Sequence, residues 1–358
     1  MKHCGFASVL FAVLVVAIFA QPKLAHAQHG NYVLGTIGIM GAQQPPEGLL
    51  YQNLWSYYPV SDNGFVNTGV CNRTDNVCLN ANVNASGTMD LFIDQNIFWL
   101  VTPFKLPVIG GSYGLSIDVP FAYAATTGAA SLQPTIVGRL LGRNLTLTGP
   151  TPTSDGGVTK GTISDIYFEP IDLGWHLKHL DAIVSGGFMA PTGPYNPKAT
   201  VNIGYGHWCG ILGLGGILYP DDARTWSATL FAHYEIYGAQ EGHPYTLGNQ
   251  LPLEWALAKS FNFENKTFQQ FSIGTVGYAQ WQTTDNNISV SSTDPQANEV
   301  LHELKELHPR VYAAGPGVQL LTSFGLFDLR YYEEFGAYNT PSARELVFSL
   351  TLAGKPWS

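Results

Sequence analysis

Charge is what this chain has least of: only 12% of its 358 residues are Asp, Glu, Lys or Arg. A soluble α/β enzyme usually carries about twice that share. Basic residues are scarcer than acidic ones, 17 against 26, which removes the Lys/Arg patches that nucleic acid requires. Cysteine is rare, at 4 residues, and no C-x-x-C pair occurs. There is no P-loop and no Rossmann glycine pattern following a strand, so no cofactor is expected. Beyond the first 20 residues no run of 18 apolar residues appears, which excludes ordinary transmembrane helices.

What is present is apolar, aromatic and glycine-rich. Aromatics make up 13% of the chain and Gly contributes 39 residues. Residues 1–27 read as a secretory signal peptide: Lys2 precedes an apolar run from Phe6 to Ala20, and Ala25-His26-Ala27 forms a small-residue cleavage site. Cleavage there removes Lys2 and Lys23, leaving 15 basic residues against 26 acidic. Residues 28–48 are rich in Gly and Pro and read as a separate segment, periplasmic or lumenal. Of the three cysteines that remain, Cys71 and Cys78 sit close together in an Asn-rich stretch and are candidates for a disulfide.

From residue 49 to the end, alternating apolar and polar residues mark about twelve strands. They fall near 50–58, 89–101, 113–126, 163–175, 181–190, 201–218, 224–237, 250–262, 268–282, 310–322, 326–336 and 344–353. The connections alternate long and short. That asymmetry is expected of a transmembrane antiparallel β-barrel with external loops, short periplasmic turns and periplasmic termini. Tyr57, Tyr58, Trp99, Trp175, Tyr219, Trp226, Tyr237 and Trp281 lie near the proposed strand ends, as aromatic girdles require. In the fourth strand Asp165, Tyr167 and Glu169 lie on one parity and Asp172 and His176 on the other, so a bulge is expected near Pro170. Leu132–Leu147 reads as a helix or hairpin within the longest external loop.

Taking the polar parity as lumenal places Asp94, Glu169, Asp172, His176, His233, Glu235, Glu254, Asp328, Arg330, Glu334 and Glu345 inside. Such a set either rigidifies the interior or selects solutes by charge, disfavouring anions. Two enzyme-like motifs carry less. Gly110-Gly111-Ser112-Tyr113-Gly114 matches G-x-S-x-G, but in a turn that opens a strand rather than between strand and helix. His302-Glu303-Leu304-Lys305-Glu306 begins like H-E-x-x-H and then ends on Glu306.

An ordered series of short motifs completes the reading. It runs through Gly48-Leu49-Leu50-Tyr51-Gln52-Asn53, Tyr167-Phe168-Glu169-Pro170 and Leu173-Gly174-Trp175-His176. Next come Ala190-Pro191-Thr192-Gly193-Pro194-Tyr195, Tyr219-Pro220-Asp221 leading to Thr225-Trp226, His233-Tyr234-Glu235-Ile236 and Leu253-Glu254-Trp255. Val276-Gly277-Tyr278-Ala279-Gln280-Trp281-Gln282, Gly315-Pro316 and Arg330-Tyr331-Tyr332-Glu333-Glu334-Phe335-Gly336 follow. In this order the chain resembles the MetA-pathway of phenol degradation family, outer-membrane proteins found with aromatic-catabolism genes. The resemblance implies a bacterial outer-membrane channel for passive uptake of small hydrophobic or aromatic solutes. Its partners would be outer-membrane lipid, those solutes and, during biogenesis, the barrel-assembly machinery. The chain departs from such barrels in ending on Trp357-Ser358 rather than on an aromatic residue. The rival readings are an outer-membrane enzyme acting on lipids, which needs an outward Ser and His, and a closed structural or adhesive barrel.

Overall fold

In a computed structural model, twelve antiparallel strands form a closed barrel. It describes residues 31–354 except 73–76, 141–142, 149–152, 156–157, 198, 200–201, 244, 290–301, 303–304, 307 and 341, and describes 61–88 and 126–159 by their backbone alone. The signal-peptide reading therefore lies outside the described residues. The strands are β1 (Gly48–Asn72), β2 (Val77–Lys105), β3 (Ser112–Leu140) and β4 (Ile166–His176). They continue with β5 (Leu180–Ala190), β6 (Cys209–Leu218), β7 (Trp226–Tyr237) and β8 (Gln250–Asn262). The last four are β9 (Phe268–Gln282), β10 (Arg310–Thr322), β11 (Leu326–Tyr338) and β12 (Arg344–Ala353). Each pairs with its sequence neighbours, and β1 closes on β12 from Leu50 opposite Ala353 to Tyr57 opposite Leu346. Within the barrel wall closure gives each strand a neighbour on both sides, the condition for β-structure in lipid.

The alternation sorts residues as the barrel requires on most strands. On β7, Trp226 and Leu230 face outward while Ser227, Thr229, His233 and Glu235 are buried inside. On β12, Leu346 and Leu352 face outward and Glu345, Ser349 and Thr351 inward. The expected bulge is present: between Phe168 opposite Phe188 and Ile171 opposite Gly186, β4 spends one more residue than β5. Glu169 and Asp172 thereby share the inner wall.

β2 is the exception. Leu91, Ile93, Gln95, Ile97 and Trp99 line the interior, so Asp94 faces outward. There it accepts hydrogen bonds from Trp55 Nε1 at 3.1 Å and Asn53 Nδ2 at 2.5 Å, and Tyr57 donates to Asp90 at 2.8 Å. Alternation defines two faces but not which one is lumenal. The rule of polar residues inward fails here because the inner wall is itself apolar and neighbouring donors satisfy the outer carboxylates. The aromatic girdle divides in the same way. Tyr57 and Trp226 are exposed outward, whereas Trp99 lines the interior and Tyr58, Tyr219 and Tyr237 are buried.

The loops differ as well. Residues 59–88, expected as a loop, continue the β1–β2 pairing out to Asn72 opposite Val77. Of the two forms considered for Leu132–Leu147, a hairpin forms, with Leu140 paired to Arg143. β6 starts only at Cys209; the preceding residues bend where Gly204 packs on the backbone of Gly193. Ser112 follows a tight turn in which Gly110 N donates to Leu106 O. The barrel's own ends, Gly48 and Ala353, lie together at the short-turn end.

Candidate functional site

The segment before β1 enters the lumen. Asn31 lies at the long-loop end, where its N–H donates to Glu235 Oε2 at 2.8 Å and His207 Nε2 meets its side-chain oxygen at 2.9 Å. Tyr32 OH donates to Glu254 Oε1 at 2.6 Å, and Ile37 N to Glu254 Oε2 at 3.1 Å. Arg330 donates to the Gly35 carbonyl at 2.6 Å, and Thr229 Oγ1 donates to Ile39 O. Near the short-turn end Gln44 Nε2 reaches Asp172 Oδ1 at 3.0 Å. Glu235, Glu254, Arg330 and Thr229 thereby satisfy backbone groups that no secondary structure covers, as burial requires.

Packing explains why the segment lies where it does. Leu34 and Ile39 enter a cluster with Ala256, Ala258, Val276 and Ala313, small residues on the inner faces of β8, β9 and β10. Their size leaves the space the segment fills. Gly38 adopts φ +61°, a left-handed conformation, and an added Cβ would lie 2.7 Å from an Arg330 nitrogen. The small inward residues were the sequence signal for this arrangement, visible once the parity of Glu254 is known.

The remaining candidates divide into groups. Asp328 forms an ion pair with Arg330, both buried. Glu334 accepts from Tyr58 OH and Tyr278 OH, each at 2.7 Å, and from Ala343 N. Glu345 accepts from Ser56 and stands beside Gly35. His233 is sandwiched between the rings of Tyr32 and Phe231. His176 lies apart, half-exposed at a short turn. There it contacts Asp181, which also takes Tyr219 OH at 2.8 Å and Arg224 at 3.3 Å. Asp94 is outside the lumen, as described above. The backbones of Cys71 and Cys78 are direct partners across β1 and β2, and their side chains lie outside the described residues. His302 contacts Glu306 at 3.5 Å, while His308 turns to Asp285. Among the described residues no group of three or more His, Cys, Asp or Glu could hold a metal ion.

Several titratable groups outside the strands are strongly shifted, among them His207 and Asp221. Burial pushes the His207 imidazole down to about 4. In the short β6–β7 turn, the backbone N–H groups of Trp226 and Thr225 hold the Asp221 carboxyl down to about 2.

Beside the N-terminal segment a cavity of about 270 Å³ remains. Its wall is Leu91, Ile93, Ile97 and Trp99 of β2, faced by Ile183 and Met189 of β5 and Phe231 of β7. It runs from the long-loop end, at Asn202 and Tyr205, to the short-turn end, at Gln52, Leu326 and Thr351. Three of its carboxylates, Asp118, Glu169 and Asp172, lie on β3 and β4, with Asp165 before β4 and the Asp328–Arg330 pair on β11. Asp118 was not among the sequence candidates. It shares the inner face of β3 with Ser116, Pro120 and Ala122, and the register with β4 sets it beside Tyr167.

A family model described as "Putative MetA-pathway of phenol degradation" matches residues 72–350. An outer membrane channel from Pseudomonas putida F1 is similar in structure, with TM-score 0.50 and 11% identity over 87% of this chain and 97% of that one. A FadL homologue from Pseudomonas aeruginosa aligns with TM-score 0.34 and 8% identity over 85% of this chain and 88% of the other. No curated protein matches the sequence.

Proposed function

The chain belongs to this phenol-degradation family, and from that premise we propose that it is a bacterial outer-membrane channel for passive uptake of small hydrophobic or aromatic solutes. One observation carries the reading: the inner face of β2 presents Leu91, Ile93, Ile97 and Trp99, interrupted only by Gln95, and forms one wall of a cavity spanning both ends of the lumen. A polar diffusion pore has no use for such a wall. An apolar solute gains by leaving water along it, at about 25 cal/mol per Å² of apolar surface covered. Passage is diffusion down a gradient, without cofactor, and the N-terminal segment narrows the route.

The segment's many anchors also favour a second reading, a closed barrel whose loops bind partners. The lipid-acting enzyme is less well supported. His233 faces the lumen, away from any lipid substrate.

The test is uptake of a neutral aromatic solute into vesicles carrying lipopolysaccharide, with and without the full-length protein. Uptake faster than in protein-free vesicles is expected. Identical rates would overturn the channel and leave the closed barrel.

A further inference from the structure

The cavity's polar patch is one-sided in charge. Glu169 stands directly opposite Ser116, Asp118 opposite Tyr167 and Asp172 opposite Gly114, so the three carboxylates occupy a short stretch of two adjacent strands. Each has only neutral donors in hydrogen-bond contact. Gln95 Nε2 reaches Asp118 Oδ2 at 2.7 Å, Tyr167 OH reaches Glu169 Oε2 at 2.7 Å, and Gln44 reaches Asp172 at 3.0 Å. Arg330 is the one Lys or Arg among the cavity's described lining residues, and it is engaged by Asp328 and the Gly35 carbonyl.

Asp118 carries a second, independent sign. It is only 6% exposed, lines the cavity, and its Oδ1 has no hydrogen-bond partner among the described residues. A buried carboxylate oxygen without a donor is costly, and a cationic N–H group would meet that need with a charge-assisted bond. The apolar side chains of Ile93, Ile183 and Met189 belong to the same cavity.

From this juxtaposition we propose that the cavity is a binding site for solutes carrying one protonated amine on a small apolar or aromatic body. Asp118 receives the ammonium, with Glu169 and Asp172 beside it, and the β2 and β5 wall covers the body. The inference rests on the channel reading for its role in uptake but not for binding itself.

Three probes of similar size separate the possibilities: benzylammonium, benzyl alcohol and benzenesulfonate. Binding to the full-length protein in detergent is measured by calorimetry, and their uptake into the same vesicles by flux. Benzylammonium should bind about tenfold more tightly than benzyl alcohol, the gain of one charge-assisted contact, and benzenesulfonate should not bind. Asp118→Asn should remove that tenfold advantage, bringing benzylammonium to the affinity the same variant shows for benzyl alcohol, and Glu169→Gln should reduce it. Equal affinity of the wild-type protein for benzylammonium and benzyl alcohol would overturn the proposal. So would an advantage that survives in folded Asp118→Asn. Binding with the expected preference but no flux of any probe would overturn the channel reading alone. Flux without charge preference would overturn this inference alone.

Discussion

The two halves of the lumen are built from the same alternating strands but are packed differently against the N-terminal segment. The β8–β12 half is filled. Small inward residues such as Ala256 and Ala313 admit the N-terminal segment, and Glu254 and Arg330 bind its backbone. The β2–β5 half meets the segment too, with Val33 on Ile93 and Ala122 and Ala42 on Ile183, but it leaves a cavity beside it and carboxylates whose hydrogen-bond donors are neutral. Side-chain volume and the presence of a backbone partner, rather than polarity alone, separate a sealed wall from a passage. Both halves bury charge. Glu254 and Arg330 on one side and Asp172 on the other hold the segment, while on β3 Asp118 keeps an oxygen with no hydrogen-bond partner among the described residues.

The filled half should break first. Arg330→Met leaves Asp328 buried beside a lost counter-charge and frees the Gly35 carbonyl, which should destabilise the barrel by about 3–5 kcal/mol. Denaturant unfolding reads that loss, and planar-bilayer conductance should rise as the segment loosens. Gly38→Val forces a β-branched residue into a left-handed conformation against Arg330, at a cost of about 1–3 kcal/mol. Its mark should be higher conductance with the barrel still folded. Unchanged conductance in both variants would mean that the segment does not obstruct the lumen.

The open half responds differently. Ile93→Asn puts an amide into the apolar wall and should slow neutral aromatic uptake by about tenfold, for a desolvation cost of about 1–3 kcal/mol. Its effect on ion conductance should be far smaller than that of Gly38→Val, which is the contrast between the halves in one measurement.

Acid offers a milder probe of the segment's outer anchor. His207 has a folded pKa of about 4, below its ordinary value near 6.5, so the unfolded chain takes up the proton first. The stability it contributes is complete above about pH 6.5 and is lost as pH falls toward 4. The protection of the Asn31 and Tyr32 amides, relative to their intrinsic exchange rates, should therefore fall over that window, and His207→Gln should flatten the response. The smallest effect concerns the extended β1–β2 hairpin. We propose that Cys71 and Cys78, direct partners in register, form a disulfide there. Non-reducing peptide mapping should find it, with little change in either half of the lumen.

Much of the barrel was legible because strands in lipid obey a strict period of two and turns punctuate them. The bulge near Pro170 followed from a single parity break between Glu169 and Asp172. The inward positions of His233, Glu235 and Glu254 followed from alternation on β7 and β8. Asp94 did not, because β2 reverses the usual polarity of its faces and period alone is symmetric between them. Asp118 escaped because its role depends on the cavity and on the neighbouring strand's register. His207 escaped because it lies in an irregular loop that carries no period to read.

Sequence by itself determined the number of strands, their direction, the long and short sides and the placement of most inward acids. These follow from local alternation and turn chemistry, which need no knowledge of distant contacts. Tertiary structure decided which face of β2 meets lipid, where residues 31–47 lie, and which carboxylates are used by the chain and which remain for a solute. Those outcomes depend on volume and hydrogen-bond partners more than 200 residues apart, as between Tyr32 and Glu254, and no local pattern records them.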